Sequence, residues 1–153
     1  METHRIWNDK VMSLESKPVK KPLRIILDSN ALFVPFHFKI DIFEELKKLL
    51  NMKFELVLLS PIRLELEKLA EKDSPKMRKN ASYALKMTEK CKSVELDEQY
   101  ARSSPDDAIF QMAREWKCPV FTNDRELRKK LRNINVPVIY VRQKSRLEID
   151  GRI

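Results

Sequence analysis

Short apolar runs alternate with longer amphipathic segments along most of the chain. Four runs are nearly continuous in apolar side chains, as buried strands are, and a fifth is shorter. They lie at residues 23–27, 55–59, 119–122, 136–141 and, for the shorter one, 93–96. Between them lie segments whose apolar side chains recur three and four positions apart, which predicts amphipathic helices. These segments cover residues 40–51, 61–72, 75–91, 105–116 and 124–132.

Several helix starts carry their own local signals. Ser-Pro pairs at positions 60–61, 74–75 and 104–105 place a capping serine before a proline in the first turn. Asn123 is predicted to cap the helix that begins at Asp124. Apolar strands that alternate with helices predict an α/β fold, in which a parallel sheet is covered by helices on both faces.

The same pattern sets the expected boundaries of the folded domain. Residues 1–22 combine prolines with several lysines and predict a basic N-terminal extension. Residues 23–142 contain the alternating strands and helices, and residues 143–153 predict a polar C-terminal tail. The chain of 153 residues is most simply one domain.

Composition adds a preference for an anionic partner and excludes several kinds of site. The formal net charge is +8 and the pI is about 9.5, which favours a polyanion such as a nucleic acid. The single glycine, Gly151, excludes a glycine-rich phosphate loop, and two histidines exclude a histidine-rich zinc site. His37 is expected to be a packing or substrate-edge residue rather than a general base. Carboxylates therefore remain as the main catalytic resource.

Targeting signals and cysteine usage point to an intracellular chain. No apolar run approaches the length of about 20 residues that a membrane span needs, and the first residues lack an apolar signal core. Cys91 and Cys118 stand alone rather than in a CxxC pair, which is typical of a reduced protein. We therefore expect a cytoplasmic protein with no membrane partner.

Two acidic residues are expected at one edge of the sheet. Asp28 follows the first apolar strand directly, and Asp124 lies just past the strand at residues 119–122. The carboxyl ends of parallel strands share an edge, where ligands bind in sheets of this kind. An Asx turn and a helix cap are the plain structural alternatives for these two residues.

Helical geometry selects two further acids. Glu65 borders the apolar face of the helix at residues 61–72, whereas Glu67 points away from it. Asp106 flanks the apolar face of the helix at 105–116, and Asp107 is expected to act as a cap or as a neighbour of the ligands. Clustered carboxylates would bind a hard divalent cation, and two such cations can hydrolyse phosphodiesters.

The ordered set of acidic motifs resembles the PIN-domain nuclease family. Residues 28–32 (DSNAL) look like its opening motif, and residues 64–66 (LEL) look like its glutamate helix. Residues 106–109 (DDAI) followed by Ala113 look like its second acidic motif, and residues 122–124 look like its T-N-D motif. Residues 33–36, 65–69 and 122–127 also resemble the branch that cleaves ribosomal RNA precursors. Ser29 stands where many members carry threonine.

The resemblance implies a fold and a chemistry. The fold is a three-layer α/β/α sandwich whose parallel sheet of about five strands has the order 3-2-1-4-5. The activity is a metal-dependent endoribonuclease, with Mg²⁺ or Mn²⁺ bound by four catalytic carboxylates and with RNA as the partner. The ligands would be Asp28, Glu65, Asp106 and Asp124, supported by Ser29, Asn30, Asp107, Thr122 and Asn123. We expect the RNA backbone to contact a basic cluster made of Arg125, Arg128, Lys129, Lys130 and Arg132.

Other functions stay open at the level of sequence. The same pocket could belong to the toxin ribonuclease of a toxin–antitoxin pair, with an antitoxin protein as partner. A non-catalytic RNA-binding assembly factor on the same fold is a further reading, although all four acids are present. An aspartyl phosphatase is disfavoured because Asn30 occupies the position of its second aspartate. Family members often pair, so a homodimer is also among the expected partners.

Overall fold

The computed structural model describes residues 21–72 and 74–153, so the expected N-terminal extension lies almost entirely outside the described residues. The strands are β1 (Leu23–Leu27), β2 (Phe54–Leu59), β3 (Lys92–Val94), β4 (Val120–Phe121), β5 (Val138–Arg142) and β6 (Arg146–Asp150). The helices are α1 (Ser29–Leu32), α2 (Val34–Phe38), α3 (Ile42–Leu50), α4 (Ser60–Leu69), α5 (Pro75–Met87), α6 (Glu98–Ala101), α7 (Pro105–Trp116) and α8 (Arg125–Asn133), with a 3-10 turn at Thr88–Lys90.

Within the described residues, the strands form one mixed sheet in the order β3-β2-β1-β4-β5-β6. Strands β1 to β5 pair in parallel, and β6 pairs antiparallel to β5. Ile25, Ile26 and Leu27 are consecutive in β1 and fully buried, so both faces of the central strand are covered. The expected α/β fold and its order 3-2-1-4-5 are confirmed, and one strand is added at the edge.

The added strand lies in residues 143–153, for which the sequence predicts a polar tail. Strand β6 carries one buried apolar side chain, Leu147, opposite Val141 of β5, while the residues around it are charged or partly exposed. Leu147 and Ile149 alternate with charged residues, but this period-two pattern spans only five residues and has a low mean hydropathy. Hydrogen bonding to β5 and ion pairs from the rest of the fold keep it in the sheet, and neither can be seen from hydropathy.

Two of the three predicted serine caps are present. Ser74 and Ser104 accept hydrogen bonds from the backbone N–H groups of Met77 and Asp107, at 3.3 and 3.2 Å. Ser60 does not cap its helix, because it is the first helical residue of α4 and Leu59 takes the cap position. Its hydroxyl instead accepts a hydrogen bond of 3.1 Å from the backbone N–H of Leu96, which ties α4 to the loop after β3.

No helix among residues 21–72 and 74–153 has both the length and the apolar character that crossing a membrane requires.

Candidate active site at the carboxyl edge of the sheet

Asp28, the residue that directly follows β1, lies at the centre of the candidate site. Its backbone N–H donates to the carbonyl of Phe121 at the end of β4, at 3.0 Å, and only 4% of the residue is exposed. Its Oδ1 accepts a hydrogen bond from the backbone N–H of Ser29 at 2.8 Å. Its Oδ2 accepts from the Thr122 hydroxyl at 2.7 Å and from Nδ2 of Asn30 at 3.1 Å. The carboxylate is therefore buried but well supplied with donors.

A network of side chains continues from Asp28 across three strand ends. Asn30 Oδ1 accepts from the backbone N–H of Asn123 at 3.0 Å, and Asn123 Oδ1 accepts from the backbone N–H of Val141 at 2.9 Å. The Thr122 hydroxyl accepts from the backbone N–H of Asp124 at 3.1 Å. Because β1, β4 and β5 are joined in this way, the positions of Asp28 and Asp124 depend on the neighbouring strands.

The other predicted acids come to this edge from three helices. Glu65 on α4 is half-buried beside the fully buried Leu66, while Glu67 on the same helix is exposed. Asp106, in the first turn of α7, is exposed, as is Asp107, whose backbone N–H is capped by Ser104. Asp107 makes no contact with the hydrogen-bond network around Asp28 among the described residues.

Asp124, rather than Asn123, caps helix α8. Its Oδ1 accepts from the backbone N–H groups of Glu126 and Leu127, at 2.9 and 3.2 Å. The prediction that Asn123 is the cap is wrong, because the side chain of Asn123 is used by Val141 on a neighbouring strand. Asp124 keeps its second carboxylate oxygen, which accepts no hydrogen bond from the described residues.

The four acids act on one another electrostatically. The pKa of Asp28 is raised to about 6, chiefly by burial and also by the negative charges of Asp106 and Glu65, against hydrogen bonds from Thr122 and Ser29 that lower it. The pKa of Asp106 is also raised, first by the partial loss of water around its carboxylate and then by the charges of Asp124 and Glu65. Asp28 and Asp106 therefore both lie in the electrostatic field of the other acids of the site.

A cation fits this donor set by its chemistry, although the side chains do not form a closed cage. Among residues 21–72 and 74–153, no three histidine, cysteine, aspartate or glutamate side chains are close enough together to hold a metal ion as they stand. The donors are all carboxylate oxygens, which hard divalent cations prefer. A positive charge among them would offset the repulsion that raises the pKa values of Asp28 and Asp106.

The predicted basic cluster divides into two groups. Arg125, Lys129 and Lys130 are exposed, and Lys130 lines a cavity of about 400 Å³ together with Asp106. Arg128 and Arg132 instead bond to the two carboxylate oxygens of Asp150 on β6, at 2.9 and 3.1 Å. Arg128 and Arg132 therefore have a structural role, because they join α8 to the edge strand β6.

Sequence reasoning missed the aromatic side chains that lie beside Asn123. A cavity of about 520 Å³ lies beside Asn123, and Phe38, Tyr140 and Gln143 are among its lining residues. Its place is set by the β5–β6 hairpin, which the sequence did not predict. His37, for which the sequence left packing or a substrate edge open, is exposed and stacks on Phe33 with ring centroids 6.0 Å apart.

Known proteins share both the sequence and the shape of this domain. The sequence pattern of a family described as a PIN like domain matches residues 25–144. Ribonuclease VapC4 of Methanocaldococcus jannaschii is 39% identical over 131 residues, which is 85% of this chain and 98% of the relative. Ribonuclease VapC9 of Archaeoglobus fulgidus is 27% identical over 125 residues, or 82% of this chain and 87% of the relative.

Two solved structures show the same fold. The PIN domain endonuclease Utp24 superposes with a TM-score of 0.73 and 26% identity, covering 86% of this chain and 94% of that one. VapBC2 from Rickettsia felis, bound to a DNA fragment from its promoter, gives a TM-score of 0.58 and 15% identity, covering 78% of this chain and 100% of that one.

Proposed function

Since the chain belongs to the PIN-like domain family, we propose that it is a divalent-metal-dependent endoribonuclease that hydrolyses RNA phosphodiester bonds at Asp28, Glu65, Asp106 and Asp124. The observation that carries the proposal is the buried Asp28 carboxylate, held by Thr122 and coupled to Asp106 and Glu65. A buried acid whose pKa is raised, among other acids at the carboxyl edge of a parallel sheet, is typical of a functional site.

The residues of the site have separate tasks in this mechanism. The four carboxylates would hold Mg²⁺ or Mn²⁺, which when bound supplies positive charge to the scissile phosphate and activates the attacking water. Thr122 and Ser29 hold the Asp28 carboxylate in place and favour its ionised form. Asn30 and Asn123 fix the strand ends relative to one another, so that Asp28 and Asp124 keep a constant separation.

A toxin ribonuclease of a toxin–antitoxin pair is a second candidate with the same chemistry. It is supported by the two relatives that carry the name VapC and by the VapBC2 complex of the same fold. The role in ribosomal RNA processing rests on the motif resemblance at residues 33–36, 65–69 and 122–127. Induced expression in a bacterial host separates the two, because a toxin arrests growth and a co-expressed antitoxin restores it.

The acid cluster can be tested by variants that differ little in structure. Asp28→Asn, Asp106→Asn and Glu65→Gln should each lower Mn²⁺-stimulated cleavage of a labelled single-stranded RNA by about a hundredfold or more. Glu67→Gln is the matched control, because Glu67 lies on the same helix as Glu65 and is exposed. Full activity of the Asp28 and Asp106 variants, or cleavage that ignores EDTA, would overturn the proposed mechanism.

A further inference from the structure

An unassigned cavity of about 520 Å³ lies between the β5–β6 hairpin and the start of α8, and we call it the hairpin cavity. Its lining residues include Arg125 at the start of α8, together with Arg142 and Lys144 of the hairpin. Phe38 and Tyr140 contribute aromatic rings. Its volume is in the range of sites that enclose a small ligand, and so suits a single nucleotide.

The hairpin cavity shares a wall with the acid cluster. Asn123 lines the cavity and also bonds to Asn30, which in turn donates to the Asp28 carboxylate. Asn123 also directly precedes Asp124. A strand of nucleic acid with its scissile phosphate at the acids would therefore place a neighbouring nucleotide in the hairpin cavity.

The charge of the hairpin cavity is positive and partly uncompensated. No carboxylate is among its lining residues in the described parts of the chain. Arg128 is paired with Asp150 and Arg142 with Glu148, at 2.9 and 3.1 Å. Arg125 and Lys144 have no carboxylate oxygen within 4.0 Å in residues 21–72 and 74–153. Two cations that line the same cavity without carboxylate partners are suited to an anionic group such as a phosphate.

The aromatic side of the hairpin cavity favours an exposed base. The guanidinium group of Arg128 lies 3.7 Å from the centroid of the Tyr140 ring, and its ion pair with Asp150 fixes this stack. Bases stack on aromatic rings and on guanidinium planes when they are unpaired. A base inside a double helix is already stacked on its neighbours and cannot enter such a cavity.

We propose that the hairpin cavity binds one unpaired nucleotide of an RNA strand, next to the phosphodiester at the acid cluster. Its phosphate lies between Arg125 and Lys144, and its base lies against Tyr140 and Phe38. This inference rests on the proposed function and assigns the nucleotide next to the cleaved bond to the hairpin cavity.

Lysine variants with a matched control test the phosphate contact. Lys144→Gln should lower the affinity for a labelled single-stranded RNA of about eight nucleotides, measured by fluorescence anisotropy in EDTA. We expect a loss of about three- to tenfold, and a slope of log affinity against log salt that is shallower by about 0.7. Lys144→Arg should bind as the unchanged protein does. Lys117→Gln is the control, because Lys117 is also exposed with a positive φ, 53° against 58°, and precedes β4 at the opposite end of the sheet.

Base recognition is tested with an RNA that lacks one base. Removing the base at the position next to the cleaved bond should weaken binding about fivefold or more. In a Tyr140→Leu variant, which keeps a half-buried apolar side chain, the same removal should have little effect. A fully paired duplex of the same sequence should bind more weakly than the single strand and should be insensitive to Lys144→Gln.

The outcomes separate this inference from the proposed function. If the unchanged protein cleaves RNA while Lys144→Gln and Lys117→Gln bind RNA equally well, the nucleotide site is refuted and the nuclease stands. The same conclusion follows if the duplex binds as tightly as the single strand. If RNA is not cleaved but binding depends on Lys144 and Tyr140 as described, the nuclease is refuted and the nucleotide site stands.

Discussion

Asp28→Asn should make the protein more stable at neutral pH while removing its cleavage activity. The pKa of Asp28 is raised from 3.8 to about 6, so the folded state holds a proton that the unfolded state loses. The stabilisation from this proton is complete below the unfolded pKa and is lost as the pH rises through the folded one. The difference between the two pKa values corresponds to about 3 kcal/mol of unfolding free energy, which the unchanged protein loses as the pH rises. Asparagine does not ionise, so the variant does not lose it.

The substitution also has a cost that does not depend on pH. Both oxygens of Asp28 accept hydrogen bonds, from Ser29 on one side and from Thr122 and Asn30 on the other. An amide turns one acceptor into a donor, which costs about 1–2 kcal/mol at this buried position. We therefore expect the variant to be less stable than the unchanged protein in acid and more stable by about 1–2 kcal/mol near pH 8.

Urea unfolding in EDTA between about pH 4 and pH 8 measures this difference. The difference in unfolding free energy between the two proteins should change by about 2–3 kcal/mol across this range, part of it through the coupled Asp106. Mn²⁺ should stabilise the unchanged protein more than the variant, because an ion that binds the folded state raises its stability. A difference that is constant with pH, or equal stabilisation by Mn²⁺, would refute the reasoning.

Substitutions at three further positions test other parts of the structure. Gly151→Ala should cost about 1–3 kcal/mol in urea unfolding, because φ is +105° and a Cβ would lie 2.5 Å from the Arg132 guanidinium; an unchanged midpoint would contradict this. Thr122→Val should raise the pKa of Asp28 and shift the pH profile of cleavage upward, since it removes the hydroxyl that donates to the carboxylate; an unmoved profile would count against that role. Asp124→Asn should keep the helix cap and lose cleavage. Asp124→Ala should lose cleavage and also about 1 kcal/mol of stability, because alanine cannot cap the helix. A loss of stability in both variants would show that the negative charge, and not only the hydrogen bonds, stabilises the helix.

The central part of the fold could be predicted from the sequence because its signals are local and strong. The continuous apolar runs gave β1, β2, β4 and β5, and the family resemblance gave their order. Strand β6 is absent from the prediction although Leu147 and Ile149 alternate with charged residues, because two apolar side chains among three charged ones resemble a polar segment. Its position depends on pairing with β5 and on Asp150, whose partners lie about twenty residues earlier in the chain.

The site shows the same division between local and distant information. The sequence could place Asp28 and Asp124 after their strands, because the end of an apolar run marks the end of a strand. It could not show that Asn123 and Ser60 lose their predicted capping roles, since their partners are Val141 and Leu96 on other elements. The amphipathic pattern of α8 likewise cannot tell a paired arginine from one that is available to RNA.

Pairing of β6 with β5 has a consequence for the order in which the protein is completed on the ribosome. The acids at positions 28, 65, 106 and 124 are all translated before Asp150. Until β6 has emerged, Arg128 and Arg132 have no partner there, β5 has an open edge, and the turn that carries Lys144 is not closed. A nascent chain stopped shortly after β5 would therefore contain every carboxylate of the site but would lack β6. The unpaired edge of its β5 would then be open to pairing with a strand of another chain.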